Sequence, residues 1–378
     1  MTEYTPADRW IWQQSDWPKF HWNLEALHSE LGAANRCMGV LVGRMGSTSA
    51  GLDAQSALEA LLHNIVTSSA IEGEALNTAS VRSSLAKRLG VKEGGPGQTS
   101  SKTEGLAELT LDAIHNCRQP LSVARLAQWH GWLFPDDQPR LVSLRVGELR
   151  GEEPMQVVSG RLDKPRLHFE APPRHRLEQE LAVFIDWFNQ PATAATCPFI
   201  RAAITHLWFI TLHPFDDGNG RMARALTDMA LAQGDTQSIR LFAMSSSILD
   251  RRAEYYRILE KTQRGGLDIT DWIKWFLQTL TLSLQAASHT IEATFMKQRF
   301  WQAFANEEFL PGQRKVLNRL LDGGENGFAE GISAGQYQKV AKVSKASATR
   351  HLVDLLNRGC LQKTSAGGRG TRYRLMEF

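Results

Sequence analysis

His213-Pro-Phe-Asp-Asp217-Gly218-Asn219-Gly220-Arg221-Met-Ala-Arg224 is the most chemically dense stretch of the chain. It lies between two apolar-periodic runs, 195–211 and 220–233, that read as helices. Gly218 and Gly220 let backbone come close to a ligand, and the free N–H groups of the new helix point back at the loop, which makes an anion site. Arg221 and Arg224, three residues apart, share a face of that helix's first turn. Cations there oppose the helix dipole at about 0.3–1 kcal/mol each, so an anion is expected to compensate them, and a polyphosphate would do so well. Asp217 is a hard oxygen ligand suited to Mg2+ on phosphates, and His213 can hold or release a proton near neutral pH. A base, a metal carboxylate, a glycine nest and two arginines this close together point to phosphoryl-type transfer.

Rival readings of the stretch are weaker. Gly218-x-Gly220-x-x-Ala223 formally matches a dinucleotide fingerprint, but it follows a helical run in an α-rich body with no evident parallel strands. A Walker A loop needs GKS or GKT, and neither occurs. His206 could bind metal with His213, but without an HExxH pattern it reads as a core-facing helix residue. A purely structural glycine turn with incidental charges is the plainest alternative.

Working outward, the body reads as mainly α. Helices are expected over about 23–50, 52–69, 77–89 (Asn77 as cap), 106–116, 123–133, 175–189, 247–264 and 270–288. Residues 92–104, KEGGPGQTSSKTE, read as a loop or linker. MQVV and RLHFE, around Ser159-Gly160, read as a β-hairpin. Four of the 11 tryptophans, Trp10, Trp12, Trp17 and Trp22, are expected to anchor an N-terminal segment onto the body. In residues 312–378, GQYQKVAKVSKASATRHLVDLLNRG fits a helix–turn–helix, and CLQKTSAGGRGTRYRL fits two strands about a glycine-rich tip, which is the order of a winged helix.

The 378 residues suggest two or three domains, and 42% hydrophobic with 22% charged residues excludes global disorder. No apolar run is long enough for a membrane span, and the N-terminus lacks a secretory pattern. Four scattered cysteines argue against a disulfide framework or a paired-cysteine zinc site, and a cytoplasmic location fits. The net charge of +3 is uneven: residues 312–378 hold 12 Lys/Arg against 5 Asp/Glu, which hints at a polyanionic or acidic partner for the tail.

The stretch from His213 to Arg224 resembles the signature of the Fic family, HxFx(D/E)GNGRxxR, at every fixed position. Family members typically transfer AMP from ATP to a hydroxyl side chain (Tyr, Thr or Ser) of a target protein or of themselves, releasing pyrophosphate. The resemblance implies His213 as the general base on that hydroxyl and Asp217 as the Mg2+ ligand. It further implies Gly218, Asn219 and Gly220 as the cradle of the α- and β-phosphates, Arg221 and Arg224 on the β- and γ-phosphates, and a buried Phe215 that fixes the loop. Ser68, Glu72 and Gly73 resemble the family's inhibitory motif, (S/T)xxxE(G/N). Glu72 would then pair with Arg224 and block the γ-phosphate position; read alone, it is a solvated acid at a helix C-terminus. Gln156, Val157, Val158 and Ser159 sit where the family has a target-docking flap, whose edge could take an extended target strand. Tyr255 and Tyr256 are candidates for the nucleoside pocket, with plain packing the alternative.

The expected organisation is a helical N-terminal domain (1–104), a Fic-type helical catalytic core with a small β-hairpin flap (105–290), a connecting helix or linker (291–311) and a winged helix (312–378). Removal of AMP by the same site is an alternative direction. A DNA-binding regulator whose core only senses nucleotide is an alternative class, with Lys342, Lys345, Arg350, Lys363, Arg369 and Arg372 as candidate contacts. Winged helices also bind proteins or pack as dimer parts, so a protein partner and a homodimer stay open. No membrane partner is expected.

Overall fold

The computed structural model describes residues 10–45, 50–91, 97–136, 144–161, 164–191, 197–234, 241–323, 328, 330–364 and 371–376. The chain divides into two units, Met1–Ala287 and Ser288–Phe378.

The first unit is mainly helical. Its elements are α1 (His28–Met45), α2 (Ala50–Ile71), α3 (Thr78–Leu89), α4 (Ser101–His115), α5 (Val123–Leu133), β1 (Gln156–Arg161), β2 (Lys164–Glu170), α6 (Arg174–Asn189), α7 (Pro198–Leu212), α8 (Asn219–Gly234), α9 (Met244–Asp250), α10 (Arg252–Gln263) and the start of α11 (Thr270–Ala303). At the centre is α7. Pro198 opens it, where a missing N–H costs nothing, and every residue from Phe199 to Leu212 is buried. A helix apolar on all sides must be covered on all sides. Its neighbours are α8, α6 and α11, whose Trp272 Nε1 donates to Ala203 O at 2.8 Å. His206, on α7, is 1% exposed, and its ring bonds Thr227 Oγ1 and the Tyr255 hydroxyl, both at 2.9 Å.

Trp10 and Trp12 pack with Phe169 and Ala171 at the base of the hairpin, and Trp17 Nε1 donates to Glu180 Oε2 at 2.7 Å. The hairpin is a two-stranded antiparallel sheet, β1 on β2, with an irregularity between Val157 and Val158.

Several boundaries differ from the sequence expectation. Helix α4 begins inside the stretch read as a loop, because Ser100 accepts from Thr103 N at 3.2 Å while the Thr103 hydroxyl accepts from Ser100 N at 3.1 Å. This reciprocal cap turns polar residues, normally a loop signal, into a helix start. Ser159-Gly160 is not a turn: β1 runs through it, with Ser159 opposite Arg166 and Gly160 opposite Pro165. The helix expected over 247–264 is two, α9 and α10, separated at Arg251, whose backbone leaves helical geometry (φ −110°, ψ 26°). The helix expected to end at 288 continues to Ala303.

The second unit follows the order α12 (Pro311–Asp322), β3 (Ile332–Ser333), α13 (Ala334–Ala341), α14 (Lys345–Asn357), β4 (Leu361–Lys363) and β5 (Arg372–Leu375), with the sheet in the order β3-β5-β4. Val316, Leu317, Ile332, Tyr337, Leu352, Leu355 and Leu361 form its core. Ser333 and Ser344 cap α13 and α14 by accepting from Gln336 N and Ser347 N. Among the described residues no helix is long and apolar enough to cross a membrane.

Candidate active site

The α7–α8 junction sets the site. His213 terminates α7 with φ 49°, a left-handed conformation that costs a non-glycine residue energy and persists only where the surroundings enforce it. Its N–H bonds Phe209 O at 3.1 Å. Arg150, 2% exposed, donates from Nε to His213 O at 2.9 Å and from Nη2 to Pro172 O. His213 Nδ1 lies 3.1 Å from Ile210 O. A carbonyl oxygen only accepts, so Nδ1 carries the proton and Nε2 keeps its lone pair. Burial holds the imidazole down to about pKa 4, and the Arg150 charge adds to this. The ring is therefore neutral at pH 7, ready to accept a proton.

The loop after His213 is closed by Asn219. Its Oδ1 accepts from Phe215 N at 3.0 Å and its Nδ2 donates to Phe215 O at 2.8 Å, both buried. Phe215, 1% exposed, stacks on His130 at 4.3 Å. His130 Nδ1 accepts from Gly147 N at 3.0 Å, so its Nε2 donates to Asp217 O at 3.2 Å. Gly218 has φ 80°, and a Cβ there would meet Phe134 at 2.8 Å, so both the backbone turn and the close approach require glycine. Replacing Asn219 with alanine leaves two buried backbone groups unpaired. It is expected to lower unfolding free energy by about 1–3 kcal/mol, measured by chemical denaturation.

Arg221 and Arg224 are 7% and 3% exposed. Arg224 Nη2 donates to Glu72 Oε1 and to Ser68 O, and Nε to Ser68 Oγ, all at 2.8 Å. Arg221 Nη1 donates to Glu74 Oε2 at 2.8 Å, and Arg221 stacks over Phe134 at 4.9 Å. Arg221 Nε and Arg224 Nη1 are buried and have no hydrogen-bond partner among the described residues. Two orphaned guanidinium donors at a helix N-terminus are what an anionic ligand would satisfy. A Cβ on Gly220 would overlap the Glu72 carboxylate, so Glu72 covers the first turn of α8. Gly73, with φ 81°, turns the chain directly after it.

A cavity of about 660 Å3 opens over this junction. Glu72, His213, Asp217, Gly218, Asn219 and Gly220 line one side of it. Gln156, Val157, Val158 and Ser159 line it from the hairpin, and Tyr255 and Tyr256 from α10. Tyr255 is 2% exposed and spends its hydroxyl on His206, while Tyr256 is 40% exposed and reaches Ile71 O at 3.4 Å. Ser159 Oγ lies 2.5 Å from His168 Nε2, and His168 Nδ1 lies 2.8 Å from Glu260 Oε2, which ties the hairpin to α10.

Asp217 is 65% exposed, and its Oδ1 accepts from Gly218 N at 2.5 Å. Among the described residues no group of three or more His, Cys, Asp or Glu could hold a metal. One exposed carboxylate does not suit zinc, which needs several protein ligands, but it does suit Mg2+, which takes one or two carboxylates and fills its shell with phosphate oxygens and water.

The structure thus brings Ser68, Glu72, His213, Asp217, Gly218, Asn219, Gly220, Arg221 and Arg224 together. Arg150, His130, Glu74 and Lys102 carry no signal in residue spacing and arrive through long-range contacts; Lys102 forms an ion pair with Glu74. The capping pair at Ser100 and Thr103 could have revealed the helix start that carries Lys102.

Residues 120–231 match the model of the family described as Fic/DOC, and residues 10–91 match a domain of unknown function, DUF4172. The chain is 34% identical over 113 residues to a protein adenylyltransferase of Caenorhabditis briggsae, a stretch covering 30% of this chain and 20% of that protein. It is 29% identical over 117 residues to protein adenylyltransferase Fic of Nematostella vectensis, covering 30% of this chain and 26% of that protein. A crystal structure of a Fic family protein from Desulfovibrio desulfuricans superposes with a TM-score of 0.51 at 20% identity, covering 93% of this chain and 96% of that one, which is a likeness of fold.

Proposed function

We infer, from the premise that this chain carries a Fic/DOC-family domain over residues 120–231, that it transfers AMP from ATP to a hydroxyl side chain of a protein and is held back by Glu72. The observation that carries this reading is the pair of buried donors on Arg221 and Arg224 that have no partner among the described residues, set in the same junction as an imidazole whose Nε2 keeps its lone pair. The incoming hydroxyl oxygen attacks the α-phosphorus and its proton passes to His213 Nε2. The new O–P bond forms as the bond from the α-phosphorus to the bridging oxygen breaks, and pyrophosphate leaves. Gly218, Asn219 and Gly220 would cradle the α- and β-phosphates, and Arg221 and Arg224 would take the outer ones. Asp217 would hold Mg2+, which when bound neutralises phosphate charge. The hairpin offers strand edges to an extended target segment.

Two samples with Mg2+ test the reading, one with α-labelled ATP and one with γ-labelled ATP. Label from the α-position alone, located by mass spectrometry on a Ser, Thr or Tyr, is expected. Label from the γ-position, or none from either in the Glu72→Gly variant, would overturn it.

A second reading concerns the tail. The element order of the second unit fits a winged helix, and Lys342, Lys345, Arg350 and Lys363 are exposed. Arg372 donates to Gly331 O at 3.0 Å and is partly occupied; Arg369 lies outside the described residues. We propose duplex DNA as a partner of this face. Affinity is expected to fall steeply as salt rises, measured by fluorescence anisotropy; no binding at low salt would remove the proposal.

A further inference from the structure

Two residues beyond Glu72, a second carboxylate enters the same site. Glu74 Oε2 accepts from Arg221 Nη1 at 2.8 Å, and its Oε1 is ion-paired with Lys102 Nζ. The three side chains are 7%, 23% and 21% exposed for Arg221, Glu74 and Lys102, so water screens them incompletely. Lys102 is the second residue of α4, an element belonging neither to the signature loop nor to the segment carrying Glu72.

The charge balance is one-sided. Glu74 is the carboxylate that touches both cations; Asp217 Oδ2 lies farther out, 3.8 Å from Arg221 Nη2, on a side chain that is 65% exposed, and Arg221 Nε has no partner among the described residues. If Glu74 moved away, Lys102 and Arg221 would face each other across a partly buried gap, which is costly unless another anion fills it. The outer phosphates of a nucleoside triphosphate are such an anion, and a phosphate with three oxygens can bridge an ammonium and a guanidinium as a carboxylate does.

We propose that Lys102 is a binding residue for the terminal phosphate of ATP, and that Glu74 occupies that phosphate's place in the resting protein. The inhibitory segment then seals the site at two points, Glu72 on Arg224 and Glu74 on Arg221 and Lys102. Opening exchanges one anion for another and leaves no bare cation behind. The proposal rests on the adenylyl-transfer reading, since it names the group that the triphosphate contacts.

Titration calorimetry on the full chain, with Mg2+ and with ATP or AMP, tests it in the E72G background. K102M is expected to weaken ATP binding about tenfold and AMP binding less than about twofold, because AMP lacks the outer phosphates. K102R is expected to restore most of the ATP affinity, and E74Q to strengthen ATP binding. Equal losses for ATP and AMP in K102M, or none for either, would overturn the role of Lys102 while leaving adenylyl transfer standing. An E72G protein that binds no nucleotide would overturn both.

Discussion

Replacing His213 with alanine in the E72G background is expected to cut AMP transfer by roughly 10²–10⁴-fold while leaving ATP affinity within about twofold. On the proposed mechanism the imidazole is the proton acceptor, so its loss would fall on the chemical step. The phosphates are gripped by other groups, so binding survives. The same ring predicts an unusual pH profile. Its pKa is lowered by burial to about 4, below the ordinary value near 6.5. Lowering the pH through 6.5 therefore leaves the base unprotonated, and the acid limb of kcat/KM is expected near pH 4. A limb near 6.5 would show that the ring is solvated in the working enzyme.

Glu72→Gly is expected to raise self-labelling by ATP at least about tenfold over wild type. The Glu72–Arg224 pair is charge-assisted, at 2.8 Å, with Arg224 3% exposed. Glu72 itself is 34% exposed, so solvent screening puts the expected gain toward the lower end of about tenfold to a hundredfold. Gly220 makes the argument steric as well as electrostatic, since Glu72 lies over the turn that phosphates would approach. Glu72→Gln separates the two contributions: it keeps the bulk and removes the charge, so an intermediate rate is expected. Equal rates for wild type and Glu72→Gly would discard Glu72 as the brake.

The mainly helical fold and the signature loop were legible in the sequence because the information is local. Helical periodicity marks α7 and α8, and the loop's chemistry is confined to neighbouring residues. Whatever depends on distant contact was not legible. Arg150 reaches His213 across 63 residues, and Glu74 reaches Arg221 across 147. Nothing in residue spacing signals such pairs. The Ser100–Thr103 start of α4 was local but disguised, since Ser and Thr favour loops and caps alike. The break at Arg251 was hidden because helical residues lie on both sides of it and neither Gly nor Pro marks it.

Glu72 and Arg224 are 152 residues apart but lie in one polypeptide and one unit. On the proposed reading of Glu72 as the brake, their encounter is unimolecular, so an internal equilibrium constant would fix the fraction of restrained molecules. Neither dilution nor overexpression would then shift it. Activation would require a ligand, a partner or a covalent change that favours the released form, and a tenfold shift takes about 1.4 kcal/mol of preference.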